Sequence, residues 1–234
     1  MKKAFNDVSM LCEEILAEIR SQANPDAVAG MAKFGINSNF TYGVAIPTLR
    51  KMARRTGRNH HLAEALWASG VHEARILASM VDVPDDVAEE QMDGWAADFD
   101  SWDVCDQCCN NLFWKTAFAH AKAAEWSCRK EEFVKRAGFV MMACLAVHDK
   151  KAADEDFLKY LPVIAREAVD NRNFVKKAVN WALRQIGKRN QTLNRSALET
   201  AERIKAIDSS AARWVATDAI RELTSSDIIS RLGP

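Results

Sequence analysis

Two stretches of the sequence hold side chains whose types and spacing suit chemistry. Ser101–Cys109 reads SWDVCDQCC and sets three thiols, Cys105, Cys108 and Cys109, beside an aromatic and a carboxylate, Trp102 and Asp106. CxxCC supplies thiolate ligands on little more than one helical turn, whereas a structural zinc site takes four, commonly as two separated pairs. No histidine lies near this segment, and Cys128 is far along the chain. On a helix the three thiols fall on or near one stripe with Leu112, and a buried free cysteine packs as a small hydrophobe. They read as core, with no metal. Trp102 and Asp106 stand four apart and share one helical face. A fixed carboxylate beside a π face suits a reaction that builds positive charge, although a surface Asp next to a packed Trp has the same spacing.

The second stretch is NFVKKAVNWALRQIGKRN, Asn173 to Asn190. Lys177, Trp181, Arg184 and Lys188 recur at i, i+4, i+7 and i+11, one stripe of three cations around a tryptophan. Cations suit phosphates, and an aromatic suits the faces of sugars and bases. The alternative is a core Trp181 covered by the stems of its basic neighbours. Arg136 sits in FVKRA, at the place that Lys177 takes in FVKKA, so in a regular stack both are expected to point the same way, into the groove; the alternative is an ordinary exposed Arg. Lys135 and Arg189 adjoin these cations in the sequence.

The elements that must position these groups are helices. The 234 residues include only 5 Pro and 9 Gly, and no long stretch alternates with period two. Helical periodicity runs roughly over 5–22, 47–55, 72–82, 85–97, 102–116, 129–146, 153–168, 173–187, 192–206 and 210–223. The turn-rich segment is 35–46, after which Pro47 suits a first helical turn. Phe133–Ala137 (FVKRA) and Phe174–Ala178 (FVKKA) match at an offset of 41 residues, with a weaker echo at Trp214–Ala219. Recurrence near 40 residues in a helical chain marks HEAT or armadillo-like pairs, which stack into a superhelical solenoid with a concave face. An irregular helical bundle is the other helical reading. The expectation is an all-α solenoid with a concave basic groove, one domain over 1–234.

Net charge is zero, but it is unevenly spread. Residues 81–106 hold ten acids and no base, whereas residues 166–195 hold eight bases and two acids. A neutral total thus hides a basic footprint of the kind that binds polyanions. The acidic run is expected to face away from such a polyanion, Asp106 excepted. The N-terminus has no apolar run of a secretory signal, and no stretch approaches a membrane span. A cytoplasmic monomer with reduced cysteines is expected.

Together GVAIPTLRKMAR, SWDVCDQCCNNLF, FVKRAGFVMMA and FVKKAVNWALRQIGKRN resemble the bacterial AlkD-type DNA alkylation repair proteins, built of HEAT-like repeats, over about residues 5–225. The resemblance implies a monofunctional DNA glycosylase without cofactor, acting on double-stranded DNA that contains N3- or N7-alkylpurines. The family's lesion-facing Trp and Asp match Trp102 and Asp106. Its groove Arg matches Arg136, and a second groove Trp matches Trp181. Lys135, Lys177, Arg184, Lys188 and Arg189 would bind DNA. One departure is clear: the family's lesion-facing Tyr falls at Gly30, with Phe34 and Tyr42 the neighbouring aromatics. The implied chemistry is consistent. Alkylation makes the purine cationic and a good leaving group, so positive charge passes to the deoxyribose as the N-glycosidic bond breaks. Asp106 would stabilise that charge or position water. Two other readings use the same sequence: a non-catalytic solenoid that recognises branched or damaged DNA by shape, and a protein-interaction scaffold.

Overall fold

The computed structural model describes residues 2–233, with side chains from Asp7 onward, and they are helical with no strand among them. They divide into two compact units, Met1–Ala117 and Phe118–Pro234. The first holds α1 (Lys2–Ser21), α2 (Pro25–Ala32), α3 (Ile46–Thr56), α4 (His60–Ala68), α5 (His72–Val81), α6 (Glu89–Ala97) and α7 (Trp102–Asn111). The second holds α8 (Ala119–Trp126), α9 (Glu132–His148), α10 (Asp154–Leu158), α11 (Leu161–Glu167), α12 (Asn173–Gly187), α13 (Gln191–Lys205), α14 (Ser210–Leu223) and α15 (Ser226–Leu232).

Each unit is built of helix pairs in two layers. In the second, α9, α12 and α14 form one row, with α8 packed on α9, and α11 and α13 packed on α12. The repeat read from the sequence is visible here. FVKRA and FVKKA open α9 and α12, and the rings of Phe133 and Phe174 lie 5.6 Å apart. The apolar face of α12 (Val175, Ala178, Val179, Ala182, Leu183, Ile186) is fully buried at spacings of three and four, as a core-facing helix requires. Gly138 permits the α8–α9 approach, since a Cβ there would lie 2.8 Å from both Ser127 Cα and the Trp126 carbonyl carbon.

In the first unit, α3, α5 and α7 form a row, with α1 and α4 packed behind α5. The indoles of Trp67 on α4 and Trp95 on α6 stack 4.1 Å apart, and Trp67 Nε1 donates to Asp98 at 2.9 Å. Because α5 is central, its polar residues are buried too and must be satisfied from neighbouring elements. His72 Nε2 lies 2.9 Å from Asp103 on α7. The Glu73 carboxylate accepts the backbone N–H groups of Tyr42 (2.9 Å), Gly43 (2.6 Å) and Val44 (3.2 Å). Gly43 has φ +77°, and a Cβ there would lie 2.5 Å from the Asn24 carbonyl oxygen.

Several boundaries differ from the periodic reading. The helix expected from 85 starts at Glu89, because Pro84–Asp86 form a single 3-10 turn and Val87 and Ala88 are extended. The helix expected over 102–116 ends at Asn111, and Phe113–Lys115 tighten into a 3-10 turn. The span 153–168 breaks into α10 and α11, since Pro162 lacks the N–H that a continuous helix needs and sits in the first turn of α11. Four short helices, α2, α4, α8 and α15, lie outside the periodic spans. Two of these carry readable caps: Asn24 accepts from Ala27 N and Asn59 from Leu62 N, each at 3.0 Å.

Three measurements test these contacts. Glu73→Ala strands three N–H groups, two of them buried, and should lower unfolding free energy by roughly 2–4 kcal/mol in urea. Gly138→Ala should cost about 1–3 kcal/mol by forcing α8 from α9. Burial disfavours the charged form of His72, but the hydrogen bond and charge of Asp103, with Glu73 and Asp100, outweigh it and raise its pKa. A raised folded pKa stabilises most below the unfolded value of about 6.5 and loses that contribution as pH rises through the folded one. The stability advantage over His72→Gln should therefore shrink as pH rises above about 6.5.

Candidate nucleic-acid interface

Trp102 opens α7, and Asp106 follows one turn later on the same face; both side chains are partly exposed. The buried face of α7 is Val104, Cys105, Cys108 and Cys109, all at or near zero exposure. The thiols thus pack as core, and burial pushes the Cys108 thiol well up, with Cys105 adding to the shift. α7 is held at its first turn by the Asp103–His72 contact, and at its end by Asn111, which donates to Ser79 on α5 at 3.1 Å. Trp102 Nε1 donates to the Phe34 carbonyl at 3.1 Å, so the indole is tied to the loop that follows α2. The result is a rigid shelf with an aromatic face and a carboxylate on one side. Gly30, on α2, has open space around the position of a Cβ.

The other expected residues lie in the second unit. Trp181 is partly exposed on α12, and its Nε1 lies 3.0 Å from the Gln185 side-chain oxygen once that amide is oriented to satisfy both groups. Arg136 is 6 % exposed and donates to the Phe174 carbonyl at 2.6 Å, so its guanidinium joins α9 to the first turn of α12. Arg189 donates to the carbonyls of Ala146 (3.1 Å) and Ala152 (2.8 Å), with its guanidinium 4.3 Å from the centre of the Phe157 ring.

The remaining cations fall into two classes. Lys135 pairs with Glu167 at 2.7 Å and Asp170 at 3.5 Å. Lys188 pairs with Glu222 at 2.6 Å, and Arg184 pairs with the same carboxylate. Burial opposes ionisation of Glu222, but the hydrogen bonds and charges of Lys188 and Arg184 outweigh it and hold its pKa down. These three cations are therefore already neutralised from within. Lys177 is different: it is exposed and makes no ion pair with the described residues. Its neighbour Lys176 lies 5.1 Å from the centre of the Trp214 ring, and Trp214 is itself exposed.

The sequence reading passed over a further basic surface. On α3, Arg50, Lys51 and Arg54 are exposed and pair with no described carboxylate, whereas Arg55 is held by Glu18 at 2.5 Å. The signal was present in LRKMARR, where Arg50 and Arg54 stand at i and i+4, a like-charge pair that weakens an isolated helix. The acidic run hid it by dominating the charge of the first half. Much of that run is engaged internally. Asp82 is fully buried against His60 (2.8 Å) and Gln91 (2.7 Å), Asp98 takes Trp67, Asp100 takes Asn37, and Asp103 takes His72.

Among the described residues no helix is long and apolar enough to cross a membrane, and no group of three or more His, Cys, Asp or Glu is arranged to hold a metal ion. No curated protein matches the chain. One solved structure matches with a TM-score of 0.74 at 18% identity, covering 89% of this chain and 94% of that one. It is described as "a new family of proteins related to the HEAT-like repeat DNA glycosylases with affinity for branched DNA structures". That likeness establishes the HEAT-like repeat fold. The sequence profile of a family described as "DNA alkylation repair enzyme" matches residues 15–223, nearly the whole chain. With its paired helical layers and its WDxxD shelf on α7, the chain belongs to the DNA alkylation repair enzyme family.

Proposed function

We propose that this protein is a monofunctional glycosylase that removes cationic alkylated purines from double-stranded DNA. The observation that carries this reading is the α7 shelf, where Asp106 and Trp102 share an outward face on a helix fastened at both ends. Bond cleavage leaves an oxocarbenium-like deoxyribose. One carboxylate at about 4 Å, in an effective dielectric of about 20, stabilises such a charge by on the order of 4 kcal/mol. That is roughly a thousandfold in rate. Asp106 also serves to orient the attacking water. Trp102 offers a π face to the sugar and its developing cation, and in the second unit Trp181 offers one to DNA. Arg136 acts by holding the start of α12, which carries Lys177 and Trp181.

Phosphate contact falls first to Lys177, since Lys135, Arg184 and Lys188 must exchange a carboxylate for a phosphate, and Arg189 its carbonyls. The protein works on this reading as a monomer, with residues 1–234 serving as one DNA-binding domain. A second reading is supported by the branched-DNA affinity of the structural relative and by Gly30, where the family's glycosylases present a tyrosine. It keeps DNA binding and drops the excision.

Purified protein should release alkylated base from methylated duplex DNA. Asp106→Asn should lower release by roughly a hundredfold to a thousandfold while leaving duplex affinity within about threefold. Wild-type protein that binds DNA in a salt-sensitive manner and releases nothing would sink the glycosylase and leave the shape-reading solenoid. Gly30→Tyr fits the open space at that site and should raise the release rate. Lys177→Ala should reduce the magnitude of the salt slope of binding by about one unit, and Lys135→Ala by less.

A further inference from the structure

We infer that the loop carrying Phe34 and Phe40 is an aromatic platform that stacks on unpaired DNA bases, while Lys33, Arg50, Lys51 and Arg54 bind the adjoining phosphates. This inference rests on the DNA-binding reading above, and it names the kind of DNA: duplex interrupted by a gap, a branch or an extruded base.

Phe34 is 72 % exposed and Phe40 is 75 % exposed, two large apolar rings held in water within seven residues of chain. Phe40 also has φ +52°, the left-handed region that a bulky residue rarely occupies. Exposure and backbone strain both oppose folding, and such combinations collect where a residue meets a ligand. The loop beneath the rings is fixed. Trp102 Nε1 donates to the Phe34 carbonyl at 3.1 Å, and the His72 N–H to the Phe40 carbonyl at 3.0 Å. Asn37 donates to Asp100 at 2.7 Å, and Thr41 to the Asn37 carbonyl at 2.8 Å. The Glu73 carboxylate then holds the N–H groups that follow, from Tyr42 to Val44. The rings are therefore carried on an ordered backbone, which lowers the entropy lost when something stacks on them.

The charges around the loop select the occupant. Lys33 precedes Phe34, and α3 follows the loop directly. Lys33, Arg50, Lys51 and Arg54 are all exposed and pair with no described acid. α3 also shares its row with α7, through α5. An apolar protein surface would cover the rings and leave these cations unused. A nucleotide uses both, base on ring and phosphate on cation. The base must be unpaired, because a base inside an intact duplex has both faces already stacked.

The test uses the full chain and labelled DNA. Binding to an intact duplex is compared with binding to a duplex carrying a short single-stranded gap and to a three-way junction. Wild-type protein should prefer the interrupted forms by about tenfold. The double variant Phe34→Ala with Phe40→Asn should lose that preference and keep intact-duplex affinity within about twofold. Asn tolerates the left-handed backbone, so folding is preserved, and Phe40→Tyr should retain the preference. A 5-iodouracil placed in the gap should cross-link to Phe34 or Phe40 on irradiation. Preference that survives the double variant, cross-links that fall only elsewhere, or wild-type binding that does not discriminate would each overturn the inference while leaving duplex binding and base release to stand. A double variant that changes the oligomeric state but not the DNA preference would make the loop a self-association surface instead.

Discussion

Two consecutive side chains at the first turn of α5 organise the first unit. Glu73 is buried, and its carboxylate gathers three backbone N–H groups from Tyr42 to Val44. His72 is buried beside it and reaches Asp103 on α7. A buried carboxylate is tolerated only when its acceptor capacity is filled, and a backbone turn with converging N–H groups fills it. One residue thereby fixes the loop before α3, and its neighbour fixes the helix that carries Trp102 and Asp106. The aromatic loop, the carboxylate shelf and the basic face of α3 take their places from this one turn of helix.

The second unit reaches order by repetition. α9 and α12 begin with nearly the same five residues, and each lays an apolar stripe on its neighbour in the row. Arg136 reinforces that stacking from within, by donating to a carbonyl of the next repeat. Ion pairing follows the same logic. Lys135 on α9 meets acids that precede α12, and Arg184 and Lys188 on α12 meet Glu222 on α14. Cations that looked like one basic stripe in the sequence are in part the mortar between repeats.

How much of this was legible follows from what a sequence displays. Periodicity gave α12 and α14 at their true ends, because long amphipathic helices write their burial into spacing. It also assigned Cys105, Cys108 and Cys109 to packing, since they share a stripe with Leu112. Short helices such as α8, which lacks a side-chain cap, leave too few turns to show a period. The family blocks made Trp102, Asp106, Arg136 and Trp181 candidates, yet spacing alone did not reveal that Arg136 turns inward. The state of a cation depends on which acids fold against it, and those lie 32 to 38 residues away for Lys135, Arg184 and Lys188. For the same reason an acidic half conceals Arg50, Lys51 and Arg54 on α3, which pair with no described acid.

The row of α9, α12 and α14 also sets how this unit comes together in time. Its contacts are made between helices near in sequence, each leaning on the next. Chains with such local contacts close small loops before large ones and fold quickly for their length. Stability then passes from neighbour to neighbour rather than residing in one nucleus. The helix α15 is only seven residues long and packs mainly on α14. Opening should begin in so short a helix, while amides of α12, which packs on α9, α11, α13 and α14, are the last of the unit to exchange with solvent.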